Sequence, residues 1–304
     1  MNNIPLVTLV MPTMNCVDFL SDTIDSVLCQ TLNDFEFIIV DDNSTDGTRE
    51  LLKKYAEKDA RIIIEDGDQK GIGGALNKGC LLSKAEYIAR IDADDICLPE
   101  RLEKEVEYLN NHPDVVLVAA DYYVMNEEGK CEGRNYSCTS NRVIKKMLSR
   151  NLNPLAHPTC MFRKNVYLKT KGYPLTPTHE DLILWKSMMQ YGKIGVINKP
   201  LIRYRMMGST LSKKFRGNPY EAILKSFVNK IICEEGQNTQ DIVLYKNVMK
   251  IASTCILPGH YSKEVTKGEY IHRVLRRYIP ESLLNFIIVN MKNVFLYFRY
   301  SCWR

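Results

Sequence analysis

Several absences narrow the function of this chain before any motif is considered. Its ten cysteines are scattered and include no Cys-x-x-Cys pair, and no secretory signal precedes them. This usage favours a reducing cytoplasm over a disulfide framework. The first residues lead directly into a strand-like run at residues 6–11, so we expect no targeting segment. The most apolar C-terminal stretch is interrupted by Lys292 and falls short of the roughly 20 apolar residues that span a bilayer.

A strong charge of one sign is also missing. The chain carries 41 Lys and Arg residues against 36 Asp and Glu residues, a net charge of +5. This excess is too small to indicate a nucleic-acid partner, although it is compatible with an anionic small molecule or a membrane surface. With 304 residues, of which 45% are hydrophobic, the chain is long enough for one large domain or two modest ones.

What is present is an alternation of apolar, strand-like runs and helical patterns. The runs predict strands at residues 6–11, 35–40, 62–64, 87–91, 115–120, 159–162 and 201–205, and helices lie between them, for example at residues 142–148 and 179–191. In the first helix Leu20, Ile24, Val27 and Leu28 form a stripe that packs on a sheet. Continuous apolar strands indicate burial on both faces, so we predict an α/β fold with a mostly parallel central sheet flanked by helices.

The pattern changes after about residue 216, where only helical periodicity remains. We therefore expect an α/β domain at residues 1–215 and a C-terminal helical extension at residues 216–304. Residues 282–300 form an amphipathic pattern with aromatic side chains on one face and basic flanks. Such a helix lies in a membrane interface or docks on the body of the protein, and the sequence leaves both interpretations open.

An acidic turn follows the strand predicted at residues 87–91. Asp92, Asp94 and Asp95 lie within four residues, and carboxylates this close need a divalent cation or basic partners to stay ionised. The alternative is a loop that caps the helix beginning near residue 99. Asp95 lies nearest to that helix, and we expect it to cap or support the helix. Asp42 follows a neighbouring strand, where acidic residues accept hydrogen bonds from a base or ribose.

Three further features have both a structural and a functional interpretation. The glycine-rich run at residues 71–77 does not fit a dinucleotide fingerprint, because Leu76 occupies the third glycine position; it predicts a loop that a diphosphate or a helix approaches closely. His157 opens a strand and either reaches substrate or is structural. Glu180 and Asp181 either complement a helix dipole or place a general base, and we favour the base for Asp181.

Taken together, these residues resemble the family 2 glycosyltransferases of the GT-A fold over roughly the first two thirds of the chain. The resemblance rests on these segments: Leu9-Val10-Met11-Pro12-Thr13, Val40-Asp41-Asp42-Asn43-Ser44-Thr45-Asp46-Gly47-Thr48, Ala75-Leu76-Asn77-Lys78-Gly79, Asp92-Ala93-Asp94-Asp95, Arg101-Leu102, Glu180-Asp181, Leu184-Trp185 and Tyr204-Arg205.

The resemblance implies an inverting transfer of a hexose from a nucleotide-diphosphate sugar to a hydroxyl group, with Mn²⁺ or Mg²⁺ as cofactor. It implies these roles: donor binding by Pro12, Thr13, Asp42, Asp92 and Asp94; metal binding by Asp94 and Asp92; base catalysis by Asp181; acceptor or phosphate contacts by His157, Glu180 and Arg205. UDP-glucose and UDP-galactose are the first candidates for the donor. The acceptor is expected to be a glycan, linked to a lipid such as undecaprenyl diphosphate, in O-antigen or capsule synthesis at the cytoplasmic face of the inner membrane.

Two positions depart from the family pattern. Met14 stands where many relatives have an aromatic residue that stacks on the base, and Met207 stands where relatives often have a histidine. Two alternatives to a glycosyltransferase stay open. One is a sugar-nucleotide nucleotidyltransferase, although residues 12–15 lack the glycine-rich basic loop which that class carries after its first strand. The other is a membrane-docked nucleotide-binding module without catalytic activity.

Overall fold

The computed structural model describes residues 4–137, 139–176 and 179–206. The expected boundary at residue 215, the helical region at residues 216–304 and the departure at Met207 lie outside these residues. The chain divides into two compact units. The first comprises residues up to 123 together with residues 137–205, and the described part of the second comprises residues 124–136 and Met206. Within the described ranges, no helix is both long and apolar enough to cross a membrane.

The N-terminal part alternates strands and helices as predicted. In chain order the elements are β1 (Val7–Thr13), α1 (Val17–Leu28), β2 (Phe35–Asp41), α2 (Thr48–Ala56), β3 (Ile62–Asp66), α3 (Gly71–Leu82), β4 (Tyr87–Arg90), β5 (Ile96–Cys97), α4 (Arg101–Asn111) and β6 (Val115–Met125). The elements that follow are β7 (Cys131–Asn135), α5 (Asn141–Ser149), a 3-10 helix (His157–Thr159), β8 (Met161–Arg163), α6 (Lys164–Tyr167), α7 (Glu180–Met188) and β9 (Lys193–Arg205).

The strands of the described residues form one sheet in the order β3-β2-β1-β4-β8-β6-β9-β5, with β7 paired to β6. Strand β1 is parallel to both β2 and β4, and β2 is parallel to β3. Strand β8 is antiparallel to β4 and β6, and β5 is antiparallel to β9. The predicted parallel sheet is therefore confirmed in the N-terminal part, and an antiparallel extension completes it.

Burial explains why the strand prediction worked best in this N-terminal part. All seven residues of β2 are buried, and so are the first five of β1, as continuous apolar runs require. In α1 the predicted stripe is buried at Leu20, Ile24 and Val27, whereas Leu28 is half-buried. The predictions were less accurate at the ends of the later strands. Strand β6 continues to Met125, and β9 begins at Lys193 because its backbone stays extended through residues that break the apolar pattern.

The glycine-rich run does not form a loop, which corrects the sequence-based expectation. It forms the first turns of α3, which begins at Gly71 with a φ of +70°. A Cβ atom on Gly73 would lie 2.3 Å from the carbonyl oxygen of Pro174, and one on Gly79 would lie 2.5 Å from Cγ1 of Val10. The expected close approach is thus real. The approaching groups are the chain at Pro174 and the sheet residue Val10, and glycine is required because any Cβ would collide with them.

Candidate active site

The carboxyl ends of three neighbouring strands bring the predicted donor residues to one edge of the sheet. Strand β1 lies between β2 and β4, with Thr13 in register with Asp41 and Val10 in register with Arg90. The backbone N–H of Asp42 donates to the carbonyl of Thr13 at 2.9 Å. Because parallel strands end on the same side, Pro12, Thr13 and Asp42 share this edge with the acidic turn that follows β4.

The turn after β2 is built by local polar contacts. Oδ1 of Asp41 accepts hydrogen bonds from the Ser44 N–H at 3.2 Å and the Ser44 hydroxyl at 2.5 Å. The carboxylate of Asp46 accepts from the N–H groups of Val17 and Thr48, which lie at the starts of α1 and α2. Ser44 and Asp46 therefore have turn and capping roles.

Within the described residues, Asp42 is held through only one of its two carboxylate oxygens. Its Oδ1 accepts from the Gln69 N–H at 2.7 Å. The chain passes so close at Gly67 that a Cβ there would lie 2.3 Å from the same oxygen. Oδ2 takes no hydrogen bond from the described residues, and the side chain is half-buried. Such a fixed carboxylate oxygen can accept a hydrogen bond from a base or ribose.

The acidic turn brings three carboxylates together. Asp92, Asp94 and Asp95 each offer an oxygen, and these three oxygens lie within 4.8 Å of one another. Both oxygens of Asp92 are paired with the guanidinium of Arg90, whose side chain is 3% exposed. Arg90 therefore balances the charge of Asp92. The carboxylates of Asp94 and Asp95 lie close together, and both are at least partly buried.

Asp95 is completely buried, which the sequence did not indicate. Its Oδ1 accepts from the backbone N–H of Arg205 at 2.7 Å, and its Oδ2 is buried without a hydrogen-bond partner among the described residues. Burial and the neighbouring charge of Asp94 raise the pKa of Asp95 well above its usual range. The expectation that Asp95 caps the next helix is wrong: α4 begins after Glu100, and Asp95 binds the end of β9 instead.

This donor set fits a divalent metal ion. Carboxylate oxygens are the ligands that Mg²⁺ and Mn²⁺ prefer, and the unpartnered oxygen of Asp95 lies within reach of those of Asp92 and Asp94. Burial, and then the charge of Asp92, raise the pKa of Asp94 to about 6. A bound cation would relieve the repulsion that raises this pKa.

Two arginines hold the backbone of the acidic turn. Arg205 donates from Nε to the carbonyl of Asp94 at 2.8 Å, and its guanidinium lies over the ring of Phe19 at 4.7 Å. Arg101 is fully buried and donates from Nη2 to the carbonyl of Arg90 at 2.6 Å. It also pairs with Glu105, whose pKa burial raises to about 7. The phosphate contact predicted for Arg205 stays a prediction, since its contacts in the structure fix the turn.

Asp181 lies in the first turn of α7, where both of its oxygens accept hydrogen bonds. Oδ2 accepts from the side-chain amide of Asn153 at 2.6 Å, and Oδ1 accepts from the N–H of Leu182 at 2.7 Å. The residue before the helix, His179, has a φ of +65°. The side chain is half-buried. These contacts fix the orientation of the carboxylate, and the role of Asp181 as general base stays a prediction.

His157 begins a 3-10 helix rather than the strand that the sequence predicted, and its ring lies between Tyr173 and the start of α7. Its Nε2 is 3.0 Å from the hydroxyl of Tyr173, and its Nδ1 is 3.6 Å from Oε1 of Glu180. Burial and the charge of Arg90 lower the pKa of His157 to about 3, while the charges of Asp181 and Asp92 act in the opposite direction. The imidazole is therefore neutral at neutral pH. Its pKa is influenced both by Arg90 and Asp92 and by Asp181 on α7. The acceptor contacts predicted for His157 and Glu180 stay predictions.

The sequence did not indicate the roles of three residues in this arrangement. Arg90 stands out in retrospect as a charged residue inside a buried strand, and Arg101 as one at the start of an amphipathic helix directly after the acidic turn. A buried cation next to clustered carboxylates is a recognisable signal. Asn153 carried no such signal, because it lies in an irregular polar segment whose position depends on the tertiary structure.

Comparison with known proteins identifies the family. The model of the family described as "Glycosyl transferase family 2" matches residues 8–170, which is more than half of the chain. The chain belongs to glycosyl transferase family 2. An uncharacterized glycosyltransferase of Methanocaldococcus jannaschii is 33% identical over 208 residues, covering 66% of this chain and 71% of the relative. The amylovoran biosynthesis glycosyltransferase AmsE of Erwinia amylovora is 32% identical over 203 residues, covering 66% of this chain and 75% of the relative.

Solved structures that are similar to this family 2 glycosyltransferase confirm the fold. S. aureus TarS 1-349 in complex with UDP-GlcNAc has a TM-score of 0.58 at 16% identity, covering 97% of this chain and 92% of that chain. The mannosyltransferase PcManGT from Pyrobaculum calidifontis, in complex with GDP-Man and Mn²⁺, has a TM-score of 0.51 at 16% identity, covering 99% of this chain and 84% of that one. The predicted α/β GT-A fold is thereby confirmed. Membership in the family also favours a glycosyltransferase over the nucleotidyltransferase alternative.

Proposed function

We propose that this protein is an inverting, metal-dependent hexosyltransferase that uses a nucleotide-diphosphate sugar as donor. The observation that carries the proposal is the cluster of Asp92, Asp94 and Asp95 at the same sheet edge as Asp42. A nucleotide diphosphate supplies both a base for Asp42 and a reason for a cation at the acidic turn. Neither feature alone would indicate a donor.

The donor site is assigned to the ends of β1 and β2. Asp42 accepts a hydrogen bond from the base through Oδ2, and Pro12 and Thr13 form the adjacent wall. Met14 is 57% exposed beside them, so its flexible thioether can pack on the base in place of an aromatic ring. Two structures with this fold, TarS in complex with UDP-GlcNAc and PcManGT in complex with GDP-Man and Mn²⁺, support a nucleotide-sugar donor. We propose a UDP-hexose, with glucose and galactose as the first candidates.

The metal ligands are assigned to the acidic turn. Asp94 is the principal ligand, and Asp95 offers its unpartnered Oδ2. Asp92 is kept in place by Arg90 and contributes negative charge to the site. When bound, Mn²⁺ or Mg²⁺ stabilises the charge that develops on the leaving diphosphate. Arg205 and Arg101 keep the turn rigid by holding the carbonyl groups of Asp94 and Arg90, which preserves the spacing of the carboxylates.

The chemical step is assigned to Asp181. The oxygen of the acceptor hydroxyl forms a bond with the anomeric carbon of the sugar, and the bond from that carbon to the diphosphate oxygen breaks. Asp181 takes the hydroxyl proton. A single displacement of this kind inverts the configuration, so an α-linked donor gives a β-linked product. No covalent intermediate with the enzyme forms, and no second carboxylate is needed as nucleophile.

The acceptor is proposed from the relatives and from the C-terminal sequence. AmsE is named for amylovoran biosynthesis, and WbnJ of Escherichia coli, 34% identical over 182 residues, covering 59% of this chain and 70% of the relative, is named for O-antigen biosynthesis. We propose a glycan acceptor in surface polysaccharide synthesis, carried on a lipid diphosphate. The catalytic domain then comprises residues 1–215, and the helical region at residues 216–304 brings it to the cytoplasmic face of the inner membrane.

A screen of donors tests the proposal. Purified protein is incubated with Mn²⁺ and each of a panel of UDP-, GDP- and dTDP-sugars, and release of the nucleoside diphosphate is measured. We expect release from one donor, and that Asp94→Ala and Asp181→Asn each abolish it. Asp114→Asn, which changes a surface carboxylate paired with Lys193, is the matched control and retains activity. Full activity of Asp181→Asn would overturn the assignment of the base.

A further inference from the structure

The amide of Asn153 is oriented by a contact of its own. Its Oδ1 accepts a hydrogen bond from the backbone N–H of Leu155 at 3.2 Å, so Nδ2 must point the other way. There it donates to Oδ2 of Asp181 at 2.6 Å. The two contacts use opposite ends of the amide, and each fits only one of its two possible orientations. Asn153 therefore presents a fixed donor to Asp181.

The Asp181 carboxylate accepts one hydrogen bond from Asn153 and another from its own helix. Oδ1 accepts from the N–H of Leu182 within the first turn of α7, which fixes one side of the carboxylate. Asn153 fixes the other side from a different part of the chain. A carboxylate bound at both oxygens has one orientation, and each oxygen keeps a lone pair for an acceptor proton.

From this geometry we infer that Asn153 is a positioning residue for the general base, a role that rests on the proposed function. Asn153 holds the Asp181 carboxylate in the orientation in which it accepts the proton of the acceptor hydroxyl. It touches neither donor nor metal in this account. Its removal should lower the rate of transfer and leave donor binding unchanged.

Other charged and titratable groups also face Asp181. Glu180 precedes it on α7, and His157 and Cys160 lie close enough for Asp181 to influence the pKa of each. His157 and Cys160 are buried and uncharged at neutral pH. A new charge placed at position 153 would therefore act mainly on Asp181, with which that side chain is in direct contact.

The decisive variant is Asn153→Asp, which replaces the donor by a second carboxylate. Two carboxylates at hydrogen-bond distance share a proton, so the acid limb of the pH profile for kcat/KM should move to higher pH by at least about one unit.

Asn153→Ala removes only the hydrogen-bond donor and should lower kcat on the order of 10-fold to 100-fold, with the KM for the sugar donor unchanged. Both variants are compared with wild type by thermal unfolding and by UDP binding with Mn²⁺.

Asn151→Asp is the matched control. Asn151 lies two residues away on the same segment and also contacts α7, where its Oδ1 accepts from Lys186 at 2.8 Å. Its substitution adds the same charge without touching Asp181, so the acid limb should stay in place. Carboxyl ¹³C chemical shifts of Asp181, measured against pH, report the same titration independently of turnover.

The outcomes separate two failures. An acid limb and a ¹³C titration that are the same in Asn153→Asp as in wild type would overturn the role of Asn153, even if the variant were less stable. If Asn153→Asp does not fold, Asn153→Ala decides the question, because equal loss of kcat at all pH values together with loss of donor binding would indicate a structural role only. Absence of transfer by the wild type with every donor would instead overturn the proposed function.

Discussion

Arg90 and Asp92 form a two-pronged ion pair at the point where β4 ends and the acidic turn begins. Each carboxylate oxygen of Asp92 pairs with one terminal nitrogen of Arg90, and the arginine side chain is 3% exposed. Because of this ion pair, the role that we propose for Asp92 differs from the role of Asp94 and Asp95. Asp92 is fixed in place by Arg90, whereas Asp94 and Asp95 are the ligands that we propose for the cation.

Replacing Arg90 with methionine should destabilise the protein by about 2–4 kcal/mol, because Asp92 is left without its partner beside two other carboxylates. Urea denaturation without metal measures this loss. The double variant Arg90→Met/Asp92→Asn should recover at least about 1 kcal/mol of it, since the unpaired charge is removed. Lys193→Met, which breaks a surface pair with Asp114, is the control and should change stability little. Additive effects of the two substitutions in the cycle would contradict this account of the pair.

The buried imidazole of His157 should make stability depend on pH. Its pKa in the folded protein is lowered to about 3 from an ordinary value of 6.5, so the unfolded chain takes up a proton below about pH 6.5 while the folded protein does not. Folding therefore weakens as the pH falls from 6.5 toward 3, by up to roughly 1.4 kcal/mol per unit from this residue.

The variant His157→Gln isolates that contribution. Glutamine keeps a polar group for the Tyr173 hydroxyl and has no titration of its own. The stability advantage of wild type over His157→Gln, measured by urea denaturation, should be smaller at pH 5.5 than at pH 7.5 by about 1 kcal/mol. An advantage that is equal at both pH values would show that the imidazole is not buried in its neutral form.

Gly73 should not tolerate alanine, although alanine is favoured in helices by about 1 kcal/mol. A Cβ at this position would lie 2.3 Å from the Pro174 carbonyl oxygen, which is backbone and cannot rotate away. We expect Gly73→Ala to cost a net 1 kcal/mol or more, on the order of other overpacked sites. Gly71→Asn is the control, because nothing lies within 4 Å of its Cβ position and asparagine tolerates a positive φ. A stabilised Gly73→Ala would mean that the chain at Pro174 packs elsewhere.

Deleting residues 282–304 tests the proposed membrane association. The amphipathic, basic character of this segment predicts that the full-length protein sediments with vesicles containing anionic lipid and that the shortened protein stays in the supernatant. Neutral vesicles serve as the control, since they lack the charge that attracts the basic residues. Equal partitioning of both proteins would favour the alternative that the segment docks on the protein body.

The fold could be predicted from the sequence where burial is continuous. Strands β1, β2 and β4 are mostly apolar and almost entirely buried, so their positions, their parallel pairing and their shared edge followed from general rules. Strand β9 could not be delimited, because Gly195 and Pro200 interrupt its pattern and only pairing with neighbouring strands keeps it extended. The helical start of α3 was missed for a related reason, since its glycines are explained by contacts with Val10 and Pro174 that are distant in sequence.

The candidate site was predicted only for residues adjacent in sequence or carried by a motif. Asp42, Asp94 and Asp181 were selected because strand ends and helix starts have recognisable positions. The burial of Asp95 was not expected, because it depends on the backbone of Arg205, 110 residues away. Asn153 and Asp181 are likewise 28 residues apart, and only folding brings them to 2.6 Å.

Calorimetric titration of UDP into the protein, with Mn²⁺ and then with EDTA, tests the central claim most directly because it requires no acceptor. We expect UDP to bind at least about 10-fold more tightly with Mn²⁺ than with EDTA, a difference of roughly 1.4 kcal/mol. Asp94→Ala should remove this difference, whereas Asp181→Asn should retain it. Equal affinity for UDP with and without Mn²⁺ would contradict a metal-dependent transferase and favour a nucleotide-binding module without catalytic activity.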